Sequence, residues 1–229
     1  MLSQDTLEFF RELRLNNHKQ WFDQNRHRYV AVKKDYHHLV SRLLEEMQKY
    51  DHHLSHLQVK DCIFRINRDI RFSKDKSPYK THLGIIITPY GKKMEYAGYY
   101  MHLDEEQGSF AGGGLYMPAP DMLKKVRTEI AHFYEDLDEI LSSQDFRETY
   151  GDLDRSPDIM LTRPPKGFNE SGKALEYLKL KSFTATTEIP ADMLVYPAAI
   201  HKVVEVFRSL KPLNDFLNRA LRAGNESYR

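Results

Sequence analysis

The sequence predicts an α+β fold, with an antiparallel sheet of four or more strands packed with three long helices. Apolar residues recur at helical spacing in long stretches near both ends of the chain and after its midpoint. Between these lie short runs rich in aromatic and β-branched residues, joined by turns too short for crossover helices. The 229 residues are 41% hydrophobic and 29% charged, enough for a sizeable core in a soluble globular protein. With no internal repeat, low-complexity tract or linker, residues 1–229 read as a single domain.

In chain order, Leu2, Leu7, Phe10 and Leu13 mark a short helix ending near Asn16-Asn17. A second helical pattern, from about Lys19 to Tyr50, carries Phe22, Tyr29, Tyr36, Val40, Leu43, Leu44 and Met47, and its length predicts a break or kink. Strands follow at Cys62–Ile66, with an extension towards Phe72, then at Leu83–Thr88, Met94–Leu103 and Ser109–Tyr116. Pro89–Lys92 and Asp104–Gly108 supply turns between the last three. A helix over about Asp121–Leu141 has Leu123, Val126, Ile130, Phe133, Leu137 and Leu141 as its apolar stripe. Phe146 to Ser156 reads as a short helix and loop, Ile159–Leu161 and Phe183–Ile189 as strands. Pro197–Leu221 reads as a final helix kinked at Pro212, before a frayed tail at Asn225–Arg229.

Charge and cysteine content exclude several classes. Net charge is +1, from 34 basic and 33 acidic residues, so the chain lacks the global basicity of a general nucleic-acid coater. The single cysteine, Cys62, rules out an internal disulfide and a Cys-rich zinc site, and its apolar setting suits a buried thiol. No signal-peptide core and no apolar run of bilayer length is present, so a cytoplasmic protein without a membrane partner is expected.

Charge is concentrated locally. Residues 60–82 hold seven Lys/Arg and three Asp. Arg65, Asn67, Asp69 and Arg71 alternate with Phe64, Ile66, Ile70 and Phe72, which on a strand would give one charged and one apolar face, with Arg68 on the apolar side. A Lys-Ser-Pro-Tyr-Lys loop follows, adding Lys76, Tyr79 and Lys80. Guanidinium groups bind phosphate or carboxylate through paired donors, and Lys adds mobile charge. Arg65, Asn67, Arg68, Arg71, Lys76, Tyr79 and Lys80 are therefore the candidate ligand-binding residues, with Asp69 and His82 as candidates for proton transfer. The blander reading is a solvated strand in which Asp69 and Asp75 neutralise neighbouring cations.

Other features carry less. Gly112-Gly113-Gly114 lacks a following Gly-Lys-Ser/Thr, and Pro118, Pro120 and Asp121 suit a phosphate poorly, so close backbone packing is the preferred role. His52 and His56 have helical spacing without a zincin motif, and no metal site is expected. Trp21, Asn25 and Arg26 could line a pocket, although a core Trp is the simpler reading. Arg163, Lys166, Lys179 and Lys181 form a second, weaker basic group.

Several of these segments together resemble a known family. They are Asn16-Asn17 with Trp21-Phe22 and Asn25-Arg26, Arg65-Ile66-Asn67-Arg68-Asp69 with Arg71-Phe72-Ser73, Lys76-Ser77-Pro78-Tyr79-Lys80, Gly112-Gly113-Gly114 before Pro118, and Pro165-Lys166-Gly167-Phe168 before Lys181-Ser182-Phe183. The arrangement resembles a conserved hypothetical protein family of bacteria and fungi, domain of unknown function 2461, over nearly the whole chain. The resemblance implies one intact domain and a cytosolic protein, and it transfers no activity, cofactor or catalytic residue. From the residues themselves, the leading expectation is binding, with or without turnover, of a phosphorylated or otherwise anionic small molecule. The alternatives are a nucleic-acid-binding module using the same patch, and a protein-interaction module presenting Trp21, Tyr99 and Tyr100.

Overall fold

Ser3 starts the first helix by accepting the Thr6 N–H at 3.2 Å, which satisfies one of the orphan donors of the first turn. The computed structural model describes residues 2–93 and 96–223. Helix α1 spans Gln4–Leu15 and buries Leu7, Phe9 and Leu13. The long second pattern is broken, as its length predicts: α2 covers Lys19–Gln24 and α3 covers Arg26–Met47, with Asn25 between them. The Asn25 amide donates to the Trp21 carbonyl at 3.0 Å, which ends one helix where the next begins. A single turn, α4, occupies Val59–Cys62, and its Asp61 carboxylate accepts the Gln58 N–H at 3.0 Å.

Strands β1 (Leu83–Ile87), β2 (Gly98–Leu103) and β3 (Phe110–Leu115) follow, then α5 (Pro120–Ser142), α6 (Gln144–Tyr150), α7 (Gly172–Leu178), β4 (Phe183–Glu188) and α8 (Ala199–Arg222). The strands form one four-stranded antiparallel sheet in the order β1-β2-β3-β4. The α+β class is therefore observed, and α3, α5 and α8 are its three long helices. Helix α5 departs from helical geometry at Phe133 (φ −137°, ψ 39°), and α8 contains Pro212. Ile159–Leu161 is not a strand: Pro157–Ile159 forms a 3-10 turn, and only Met160 bridges to Leu180. Residues 94 and 95 of the expected second strand, and the tail at 225–229, lie outside the described residues.

The chain divides into two compact units. One comprises Met1–Lys92, Tyr100–Ala111 and Glu188–Glu205; the other comprises Lys93–Tyr99, Gly112–Thr187 and Val206–Arg229. In the first, α3 packs against α1, α2, α4 and β1, and Phe9, Leu13, Phe22, Val32, Ile66 and Tyr79 form one buried cluster. In the second, α5 packs with α6 and α7, and Tyr99 meets Phe207 at 5.3 Å between ring centroids. Among the described residues, no helix is long and apolar enough to cross a membrane.

Candidate functional site

The basic segment does not form the expected strand. Residues 63–82 run from α4 to β1 with two isolated bridges, Ile63 to Ile85 and Asn67 to Tyr79. The Arg68 N–H donates to the Pro78 carbonyl at 2.9 Å and the Lys80 N–H to the Ile66 carbonyl at 2.8 Å, which closes residues 67–79 into a loop. The ladder stops there for two reasons. Pro78 has no N–H to offer, and the aspartates capture nearby backbone donors instead. Asp69 accepts the Arg71 N–H at 3.3 Å, and Asp75 accepts the Ser77 N–H at 2.9 Å.

Most of the candidate residues are consumed by this loop. Arg71 forks onto Asp69 at 2.9 and 2.7 Å, and Arg68 pairs with Asp75 while donating to the Ser77 carbonyl at 3.3 Å. The Ser77 hydroxyl and N–H, followed by Arg68, hold the Asp75 carboxyl down to about 2. Lys76 donates to the Ile70 carbonyl at 2.9 Å. Tyr79 is buried and stacks on Phe22 with centroids 4.0 Å apart. Asn67 and Asp69 are exposed. None of the six candidates Asn67, Arg68, Asp69, Arg71, Lys76 and Tyr79 lines the cleft described next.

Arg65, Lys80 and His82 do converge. They line a cleft of about 170 Å³ together with Lys33, Tyr29, Tyr36 and Tyr100, over a floor that includes Phe64 and Gly84. Tyr29, Lys33 and Tyr36 recur along one face of α3. At Gly84 a Cβ would lie 3.1 Å from the Tyr100 hydroxyl and 3.4 Å from the Phe64 ring, so the missing side chain keeps this floor open. Tyr36 donates to the Gly84 carbonyl and accepts the Phe64 N–H at 3.4 Å, which ties helix, loop and strand together.

The electrostatics of the cleft are one-sided. Among the described residues, no carboxylate belongs to its lining. Lys80 is pulled below the ordinary lysine value, by burial first and by the Arg65 charge second. Its Nζ lies 5.1 Å from the Phe64 ring centroid, a cation–π contact and not a counter-charge. His82 falls to about 4, through burial and then the nearby His102, so it is a neutral imidazole near neutral pH.

Beside the cleft, the rings of His82 and His102 approach to 4.5 Å between centroids. Among the described residues, ligand atoms of His82, His102 and Asp104 all lie within 4.8 Å of one another. Sequence reasoning missed Lys33, His102 and Asp104, and assigned Tyr100 to a protein-contact surface instead of this cleft. The i, i+4, i+7 placement of Tyr29, Lys33 and Tyr36 was the one available signal; His102 and Asp104 had none beyond a spacing of two on a strand.

The other candidates resolve simply. Trp21 packs on Phe9 with centroids 5.6 Å apart. The glycine run lies in β3, where a Cβ on Gly113 would sit 2.0 Å from the Gly98 carbonyl oxygen and one on Gly114 2.0 Å from that of Phe183. These glycines serve backbone packing. A wider depression of about 690 Å³ in the second unit is lined by Glu135, Asp138 and Glu170, among others, with Asp138 already bound by Lys173 and Tyr177.

The sequence model of one protein family, described as conserved hypothetical protein (DUF2461), matches residues 5–216. No curated protein matches the chain. No solved structure matches it either.

Proposed function

The chain belongs to this conserved hypothetical protein family, and we propose that it binds a small anionic ligand, carrying phosphate or carboxylate, in the cleft of Lys33, Arg65 and Lys80. The observation that carries this reading is geometric: Lys33, Arg65 and Lys80 line one partly buried cleft in which, among the described residues, no carboxylate compensates them, and burial with the Arg65 charge lowers Lys80. An anion supplies the missing charge and relieves the repulsion. Cleft volume limits the ligand. At about 170 Å³ it falls below the roughly 300–1,000 Å³ of pockets that enclose drug-sized molecules. It suits one phosphoryl or carboxylate group with a small substituent. Arg65 and Lys33 contribute exposed charge and Lys80 a half-buried one; Tyr100 and neutral His82 add polar contacts.

The test is a thermal-shift and calorimetric screen of full-length protein against pyrophosphate, sugar phosphates and nucleotides. Lys80→Met and Arg65→Ala each remove a charge-assisted contact worth about 1.5–3 kcal/mol, which weakens binding by roughly 10- to 100-fold. Arg71→Ala, on the loop outside the cleft, leaves binding unchanged. Anion binding that ignores Arg65 and Lys80 would sink this reading.

A second reading, binding of single-stranded nucleic acid, is favoured by Phe72. Its side chain is 96% exposed on the basic loop, with the Arg71 guanidinium 5.9 Å from the ring centroid. An exposed aromatic among cations is a stacking platform for bases. Oligonucleotide binding with a steep salt dependence, lost in Phe72→Ala and retained in Lys80→Met, would select this reading over the first.

A further inference from the structure

We propose that His82, His102 and Asp104 form a binding site for a divalent transition-metal ion. The three residues come from the paired strands β1 and β2: His82 immediately precedes β1, His102 lies in β2, and Asp104 directly follows its end. His102 and Asp104 are two residues apart on extended chain and so project to the same side. Their candidate ligand atoms already lie within 4.8 Å of one another and of His82. Bonds of about 2.0–2.2 Å place ligand atoms roughly 3–4 Å apart, so loading draws the groups together by about an ångström. Small side-chain rotations supply that movement.

The donor set selects the class of ion. Two imidazole nitrogens and one carboxylate oxygen suit Zn²⁺, Fe²⁺, Co²⁺ or Mn²⁺, whereas Ca²⁺ and Mg²⁺ favour all-oxygen shells. A metal held by three protein ligands keeps open positions for water or a bound anion.

Outer contacts orient the ligands as metal sites require. The Tyr100 hydroxyl lies 3.3 Å from His102 Nδ1, which favours Nε2 as the coordinating nitrogen when Nδ1 carries the proton. Asp104 is fixed from three directions. Its Oδ1 accepts the Glu106 and Gln107 N–H groups at 3.1 and 3.0 Å, and Arg14 Nη2 donates to Oδ1 at 2.6 Å and to Oδ2 at 2.7 Å. Oδ2 thus has one partner to three for Oδ1, and is the oxygen left for a metal. Arg14 also pairs with Glu106 at 3.0 Å, which partly occupies its charge. The guanidinium still competes with a cation, so Arg14→Ala tightens metal binding.

His82 belongs both to this group and to the cleft lining. The open coordination positions of a bound metal would therefore adjoin the space assigned to the anion. That link rests on the anion reading; the metal site itself does not.

The experiment titrates metal-free, full-length protein with Co²⁺, followed by its visible absorption, and with Zn²⁺ by calorimetry. Both are done in a His52→Ala/His56→Ala background to remove that surface pair. One ion per chain is expected, with binding weakened at least tenfold by His82→Ala or His102→Gln and about tenfold by Tyr100→Phe. Lys80→Met leaves metal binding intact while weakening anion binding, whereas His102→Gln weakens metal binding and leaves anion binding in metal-free buffer intact, so the two proposals fail separately. Pulsed EPR of the Cu²⁺-loaded parent provides a measurement that needs no variant at the site, and two coordinated imidazoles are expected. One imidazole or none, or metal binding indifferent to both histidine variants, overturns the proposal.

Discussion

The side-chain amide of Asn17 engages both backbone polar groups of Tyr79: Nδ2 donates to the carbonyl at 2.9 Å, and Oδ1 accepts the N–H at 3.1 Å. The pairing substitutes for a strand neighbour at the point where the basic loop closes. It also sets the position of Lys80, the next residue, at the cleft. Asn17→Ala strands two backbone groups and should cost about 1–3 kcal/mol, read as a lower urea midpoint. Anion affinity should fall with it even though Asn17 lies outside the cleft lining. An Asn17→Ala protein with unchanged midpoint and affinity would contradict this role.

A second clamp of the same type gives an internal comparison. Asn218, on α8, accepts the Ala97 N–H at 2.8 Å and donates to the Ala97 carbonyl at 3.1 Å. One turn earlier, Asn214 is equally buried, at 3% exposure, and among the described residues neither polar atom of its side chain has a hydrogen-bond partner. Asn218→Leu should therefore destabilise by about 2 kcal/mol or more, and Asn214→Leu should stabilise by about 1 kcal/mol. Opposite shifts of the urea midpoint are the expected result; shifts of the same sign would refute the contrast.

Cys62 is fully buried, and burial, aided by the Asp61 charge, pushes its thiol up to about 12. Native protein should resist iodoacetamide at about pH 8, with labelling only in concentrated urea, because the thiolate is the reactive form. The raised value also sets a sign. The buried thiol contributes stability that is complete below about pH 9 and is lost as pH rises towards about 12. Cys62→Ala should flatten that alkaline decline. Rapid labelling of native protein would show that the thiol is accessible.

Much of the architecture was legible because its causes are local. The apolar stripes of α3, α5 and α8 and the alternation in β2 follow from backbone period alone. The error at residues 62–72 is instructive. Alternation anticipated a buried Ile66 with Arg65, Asn67, Asp69 and Arg71 exposed, but it failed at Phe72, which it put on the apolar face and which is exposed. It could not show whether a partner strand exists, and beyond the Asn67–Tyr79 bridge Pro78 and the two aspartates remove the ladder bonds. The candidate site was legible only in part for the same reason. Arg65, Lys80 and His82 were visible within one charged segment, but Lys33 comes from α3 and Tyr100 from β2, and no spacing connects them.

By itself, then, the sequence determined the α+β class, the long helices and the concentration of cations in residues 60–82, since composition and period act over a few residues. Which cations remain without a counter-charge was decided only in three dimensions. Asp69 and Asp75 occupy Arg71 and Arg68, while Arg65 and Lys80 meet Lys33 in a cleft that, among the described residues, no carboxylate lines. The charged segment singled out by its composition divides into a self-neutralised loop and a short stretch facing the cleft. Coulombic pairing depends on distances of a few ångströms, and tertiary packing sets those distances.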